Sequence, residues 1–444
     1  MLTRDQAKAL TDRVLAMAHA DETHVSVGSG RETNLRFANG SPSTSGESTD
    51  TTVTITCVIG SRSGTTSVNQ IDDASLEAAV RRAESMARLA PEDSEHMPAL
   101  TPQKYETIER AYDADTAARG GEALPVGVKA CLEQAASAKV VAAGFAETRA
   151  HSAALANSVG LFGYHRSTGA YLSQTSRTPD GKGSGWACSS SRRVGDIDFA
   201  AVAATASRKA LGSVSPRLRA PGSYETILEP ACVATMVQLA LGAMDARSAD
   251  EGRSYFSKPD GGSRMGERIV APGVHLYSDP HDSRAPGAPW GAGGLPQQRV
   301  DWINDGVLTA LQRSRFWASK HGGLPVPPPS NMLMDGGTGS IDDLIASTKR
   351  GVLVTSLWYV RALDPRSLLF TGLTRDGVFW IEDGRIAYPV TNFRWNDSPV
   401  EVLKKVVAMS TPVQVPPRPS RTATTVVPAL KVESFHFSSV SEAV

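Results

Sequence analysis

Residues 24–69 read HVSVGSGRETNLRFANGSPSTSGESTDTTVTITCVIGSRSGTTSVN. Val25 and Val27 alternate with polar residues, as do Leu35 and Phe37, and again Val53, Ile55 and Cys57. A period of two is the pattern of a half-buried strand. Asn39-Gly40 interrupts it and is a strong hairpin signal, because the favoured two-residue turn needs left-handed backbone at both positions. The stretch predicts three or four antiparallel strands. Helical patterns flank it. Ahead of it, Leu10, Val14 and Ala18 repeat at i, i+4, i+8 within residues 3–19, and Thr3 with Gln6 has capping-box spacing. Behind it, Asp73 or Ser75 opens a helix with Leu76, Ala79, Val80, Ala83 and Ala87 on one face.

Further outward, residues 91–105 are rich in proline and polar groups and read as a linker. A second α/β segment spans 106–215. It holds a helix from Pro125 to about Ala138, strands at 140–148, 151–157, 161–168 and 170–178, and an Ala-rich helix at 198–211. The order suggests two related α+β halves, although the residues show no convincing repeat. Residues 214–221 carry two prolines and mark a boundary. Beyond them, residues 231–246 (ACVATMVQLALGAMDA) are apolar around most of the circumference and predict a buried helix. Short strands and turns follow, with hairpin signals at Asn304-Asp305-Gly306, Arg375-Asp376-Gly377 and Glu382-Asp383-Gly384. The expected fold is therefore α+β. An N-terminal segment (1–90), the linker, and a middle segment (106–215) carry antiparallel strands; a strand-rich C-terminal domain (222–444) surrounds the buried helix.

Composition narrows the function. Lys+Arg and Asp+Glu are both 46 in 444 residues, which argues against a general nucleic-acid binder. Apolar residues at 41% and charged residues at 21% exclude wholesale disorder. No stretch approaches the about 18 apolar residues of a membrane span. The first residues lack the long apolar core and cleavage site of a signal peptide. Cys57, Cys131, Cys188 and Cys232 are scattered and form no CxxC. Neither a zinc ribbon nor a disulfide framework is suggested, and a cytoplasmic protein with reduced thiols is expected.

The search for chemistry yields few candidates. None of the nine histidines stands at helical ligand spacing with another. His275 and His281 flank the turn after Leu276 and could meet across it. Gly60–Gly64 resembles a nucleophile elbow but carries Arg62 at its centre. Cys188 sits in a polar, glycine-rich setting, where an ordinary strand or loop thiol outweighs a reactive one. Gly181–Gly185 and Gly291–Gly294 lack the order of a phosphate-binding loop. Trp358, Tyr359, Val360 and Arg361 form a β run whose alternation places Trp358 and Val360 on one face and Tyr359 and Arg361 on the other. Rigid amphipathic rings there suit a peptide groove or an interface. No self-sufficient catalytic constellation emerges, and no catalytic residue is assigned.

The segments ANGSP with TVTITCVIGSRSGTTSVN, the turn Asn157-Ser158-Val159-Gly160, DWINDGVLTAL, DDLIASTKRGVLVTSL and TRDGVFWIEDGRIAYPVTNFRWNDSPVEVL together resemble the TldD/PmbA (TldD/TldE) metallopeptidase family over nearly the whole chain. The resemblance implies peptide-cutting homo- or heterodimers whose zinc is held by an HExxxH helix and a cysteine near the C-terminus. Anchored on Gly242, that helix places Gln238 and Ala243 where the histidines belong and Leu239 where the glutamate belongs. The cysteine segment corresponds to residues 409–427, which contain no Cys. Gln and Ala side chains do not hold zinc, and Leu accepts no proton. The resemblance thus points to a TldE/PmbA-type subunit without a metal or other cofactor of its own, its catalytic helix turned into pure core. It would pair with an HExxxH-bearing, zinc-holding TldD-type subunit, or with itself, and act on unfolded or small peptides, with no nucleic-acid or membrane partner. An autonomous hydrolase with a relocated site and a regulatory protein-binding module, in the sense of the family's older description as gyrase modulators, are the alternatives.

Overall fold

The computed structural model describes residues 1–422 and 424–441. Its N-terminal half is one six-stranded antiparallel sheet backed by four helices. The strands are β1 (Glu22–Ala38), β2 (Ser41–Ile59), β3 (Arg62–Val68), β4 (Val141–Asn157), β5 (Phe162–Arg177) and β6 (Ser184–Ser191). The helices are α1 (Arg4–Met17), α2 (Asp73–Leu89), α3 (Ala114–Ser137) and α4 (Phe199–Gly212). Strand order is β3-β2-β1-β4-β5-β6. Read outward from the β1–β4 pair, each half runs helix, three strands, helix, so the two segments expected from the sequence repeat one plan within a shared sheet. The pairing of β1 with β4, from His24 opposite Asn157 to Ala38 opposite Ala143, welds them.

Local chemistry explains most of these elements. Asn39 and Gly40 have φ of 51° and 79°, the left-handed pair of the expected hairpin turn. Thr3 and Gln6 form the capping box of α1, and Asp72 and Asp198 cap α2 and α4. Two expectations are corrected. The helix expected to open at Pro125 begins eleven residues earlier, capped by Asp113, and carries Pro125 inside it. Gly120 and Gly121 belong to this early part; they let the helix approach Thr148 and Thr33 of the sheet. The four short strands expected between 140 and 178 are two long ones, β4 and β5, in register throughout.

Residues 91–108 form no helix or strand. They are nevertheless tied down: Asn157 Nδ2 donates to the Leu100 carbonyl (2.7 Å), Tyr105 Oη to the Gly294 carbonyl (2.5 Å), and Glu95 pairs with Arg247 (2.7 Å).

The C-terminal half has two further sheets. The larger has nine strands and contains β7 (Gly222–Leu228) at its centre, between Leu430–Val440 and Arg350–Val354. Leu357–Asp364 ends one side of it, paired with Leu369–Thr374. The smaller includes Leu276–Ser278, Met332–Met334 and Thr425–Val427. Between the sheets lies α5 (Pro230–Ala243), entered through a proline in its first turn. It is buried on all sides from Ala231 to Val237 and shares one core with Trp302, Trp395, Phe435 and Phe437.

Candidate functional site

Helix α5 is the first component. Its second half is core on one side only, where Ala240 and Leu241 are buried. Gln238 and Gly242 are exposed, and Leu239 and Ala243 are half-buried. Residues four apart share a helix face, so these four form one open stripe. The expectation that this helix is pure core is thus corrected at the very positions singled out for it: a helix apolar around most of its circumference does not reveal where its packing partners stop. A cavity of about 480 Å³ opens at the end of the stripe, lined among others by Gly242, Ala243, Asp245, Arg253, Asp364 and Arg366. Its polar groups are engaged locally. Asp245 accepts from the Ser248 amide (2.8 Å), and Asp364 from the Ser367 amide (2.9 Å).

The edge strand Leu357–Asp364 is the second component, and it lies against α5. The strand's far end, Asp364, lines the same cavity as Gly242 and Ala243, and the Trp358–Arg361 run lies nearer its start. Strict alternation fails in this run. Tyr359 has φ of 53°, and one extra residue is inserted between Trp358, opposite Leu373, and Arg361, opposite Thr371. Such a bulge re-aims side chains and interrupts the free hydrogen-bonding edge. Tyr359 is 58% exposed and lies under the Arg361 guanidinium (4.4 Å). Val360 packs on the main core. Trp358 is covered by the Arg418 guanidinium (4.3 Å), whose other side faces Trp186 of β6 (4.5 Å). Arg418 also donates to Asp376 (2.9 Å), and Asp376 accepts from Ser184 of β6 (2.9 Å). The third component, residues 409–427, includes the strand Thr425–Val427, which packs on α5.

Among the described residues, no three His, Cys, Asp or Glu side chains come together as a set that could hold a metal ion. His275 and His281 do not pair. His275 faces Asp335 through Nδ1 (2.7 Å) and Asp301 through Nε2 (3.0 Å), whereas His281 faces Glu106 (3.2 Å). Cys188 lies in β6, and burial pushes its thiol up to about 12, so it carries almost no thiolate at neutral pH. Gly183 and Gly185 serve close packing of β6 on α4.

Sequence reasoning missed a charged cluster on the six-stranded sheet. Glu32 of β1 and Arg149 of β4 are cross-strand partners. Arg149 Nε lies 3.3 Å from Glu32 and 2.5 Å from the buried Glu147. Arg421 closes the group from above, donating to Glu147 at 2.9 Å. These residues border a cavity of about 640 Å³. Three distant segments supply them, β1, β4 and the C-terminal stretch around Arg421, so no local signal could have announced the group. Burial raises the Glu147 carboxyl above its ordinary 4.5; Arg149 opposes this and Glu32 adds to it. Folded Glu147 therefore keeps its proton to a higher pH than unfolded Glu147. Between those two values folding takes up a proton, and stability falls as pH rises. Glu147→Gln lacks this dependence. Urea midpoints from about pH 4 to about pH 7 should show the difference turning against the wild type as pH rises; a difference growing in its favour contradicts the assignment.

Comparison with known proteins places this geometry. Residues 25–87 match the PmbA/TldA metallopeptidase domain 1, residues 98–214 the central domain, and residues 221–439 the C-terminal domain. The chain belongs to the PmbA/TldD metallopeptidase family. A metalloprotease of Methanothermobacter thermautotrophicus is 27% identical over 203 residues, which is 42% of this chain and 42% of that protein's length. TldE of Thermococcus kodakarensis superposes with a TM-score of 0.85 at 17% identity, covering 97% of this chain and 99% of its own. A candidate gyrase modulator of Thermotoga maritima gives 0.83 at 19%, covering 97% and 99%. One from Bacteroides thetaiotaomicron gives 0.83 at 19%, covering 99% and 100%. These three share the fold.

The PmbA/TldD matches also locate the first two domains within the shared sheet. Domain 1 contributes most of β1 to β3 and α2; the central domain contributes α3 to α4. Helix α5 and the edge strand both fall in the PmbA/TldD C-terminal domain.

Proposed function

We propose that this chain is a non-catalytic, TldE-like subunit of a TldD/TldE-type metalloprotease that handles unfolded or small peptides. The carrying observation is the open stripe of α5. Its Gln238, Leu239 and Ala243 are accessible positions, so a metal there would be reachable by substrate, yet none of the three can ligate it or act as base. The neighbouring residues 409–427 supply no thiol. In this reading the zinc belongs to an HExxxH-bearing partner, or the chain forms a homodimer without one. The Trp358–Arg361 edge lines the peptide groove or the interface, where the exposed Tyr359 stacked on Arg361 offers a rigid amphipathic contact. Proteolysis and peptide maturation are then activities of the complex. Four unpaired thiols suit a reducing, cytoplasmic setting.

Size-exclusion chromatography of the chain mixed with an HExxxH-bearing family member from the same organism tests the pairing. Co-elution as a 1:1 complex is expected, weakened by Tyr359→Ala with Arg361→Ala if this edge is the interface. Independent elution at concentrations above about 10 μM, an affinity of roughly −7 kcal/mol, overturns the heterodimer.

A further inference from the structure

Arg192 follows β6 and lies in the seam between the six-stranded sheet and the C-terminal half. Its Nη1 donates to the Thr168 carbonyl (3.1 Å) and its Nη2 to the Pro286 carbonyl (2.6 Å). Its Nε is buried without a hydrogen-bond partner. Among the described residues no carboxylate pairs with it. Burial alone acts on the guanidinium, bringing its pKa down to about 10. A buried charge without a counter-ion is among the costliest features a fold can keep.

Arg192 borders two cavities, the one beside Glu147 and a second of about 680 Å³. The second runs along the seam and also presents Arg110, Tyr112, Ser191, Arg193 and Arg284. Its acids are spent or peripheral. Asp113 caps α3 through the Thr116 amide (2.8 Å) and faces Arg193 (3.6 Å). Asp196 accepts from Ser191 (2.7 Å), and Glu109 is exposed. In the first cavity Glu32 and Glu147 are held by Arg149 and Arg421.

We infer that Arg192 anchors an oxyanion-binding subsite in the seam cavity, which takes the carboxylate of an extended peptide. A guanidinium fork matches a carboxylate and satisfies several donors at once. Of the wall cations, Arg193 and Arg284 face Asp113 (3.6 Å) and Asp282 (2.7 Å), while Arg110 adds positive charge beside the site. The choice of a peptide as the source of the carboxylate rests on the peptide-handling reading above; the anion site itself does not.

Thermal unfolding of the full chain at low ionic strength tests this, with three probes: a short unstructured peptide with a free C-terminus, the same peptide as its C-terminal amide, and inorganic phosphate. The free acid should raise Tm in a saturable way and the amide should not. Arg192→Met should abolish the rise, and Arg192→Lys should weaken apparent affinity about tenfold, because an ammonium cannot form the fork. Should Arg192→Met fail to fold, Arg192→Lys and the wild-type arms still decide. Equal responses to acid and amide, or an undiminished response in Arg192→Lys, overturn the subsite. A response to phosphate alone overturns the peptide assignment. A chain that binds its partner but ignores the free-acid peptide fails this inference only; one that binds the peptide yet never pairs with a partner fails the subunit reading only.

Discussion

Replacing Arg418 by alanine is expected to lower the unfolding free energy by about 3–5 kcal/mol, the range for removing one partner of a buried ion pair. Asp376 is 1% exposed at its side chain and Arg418 is 15% exposed. Without Arg418 the carboxylate keeps the Ser184 hydroxyl (2.9 Å) and a longer contact to Arg375 (3.9 Å), too little to replace the close ion pair at so buried a charge. The same substitution removes the guanidinium held between Trp186 and Trp358. Because Trp186 belongs to the N-terminal sheet and Trp358 to the C-terminal edge strand, the loss is concentrated where the two halves join. Arg418→Lys should fall between wild type and alanine, since it keeps the charge but loses planar stacking. Denaturant unfolding of the three proteins measures this. A loss under about 1 kcal/mol for Arg418→Ala, the level of a solvent-screened pair, would show that Asp376 is not held as described.

The second large effect concerns the glycines of the two outer strands. A Cβ added at Gly64 of β3 would overlap the Ala83 carbonyl and the Ala87 amide of α2. One added at Gly185 of β6 would overlap the Ala206 carbonyl and the Ala210 amide of α4. Both are backbone atoms and cannot rotate away. The two sites are equivalent under the repeated plan of the sheet, so Gly64→Ala and Gly185→Ala should each cost about 2–3 kcal/mol by overpacking. The gain from removing glycine flexibility, under about 1 kcal/mol, offsets little of it. Gly46→Ala is the control. Its Cβ would meet only the Asn34 side chain at ordinary contact distance, 3.5 Å, and no loss is expected. Denaturant midpoints with an unchanged slope are the readout. A large loss at one glycine and none at the other would contradict the equivalence of the two halves.

Much of the secondary structure was legible because its causes are local. Asn39-Gly40, Asp305-Gly306 and Asp383-Gly384 all adopt the left-handed pairs that their residue types favour. Thr3 with Gln6 capped α1 as their spacing implied. The first half of α3 was hidden because Gly120, Gly121 and Pro125 are poor helix formers; its buried face, from Thr116 to Ala135, outweighs that local cost. The joining of the two halves into one sheet depends on β1 meeting β4 across more than a hundred residues, which no window of sequence reports. The candidate site divides the same way. The degenerate positions Gln238, Leu239 and Ala243 were reached through the family resemblance, not through any local pattern. Their exposure was invisible because packing partners, not helix composition, set it. The bulge at Tyr359 likewise has no composition signal, and Glu147 with Arg421 and the lone Arg192 became visible only when distant segments met.

The account turns on whether α5 is a zinc helix without its ligands. The most direct measurement is the zinc content and peptidase activity of the purified chain, alone and co-expressed with an HExxxH-bearing partner. The account predicts a lone chain without stoichiometric zinc and without cleavage, and a co-purified pair that holds zinc and cuts an unfolded peptide. A lone chain that retains one zinc per molecule and cleaves the peptide unaided would contradict it.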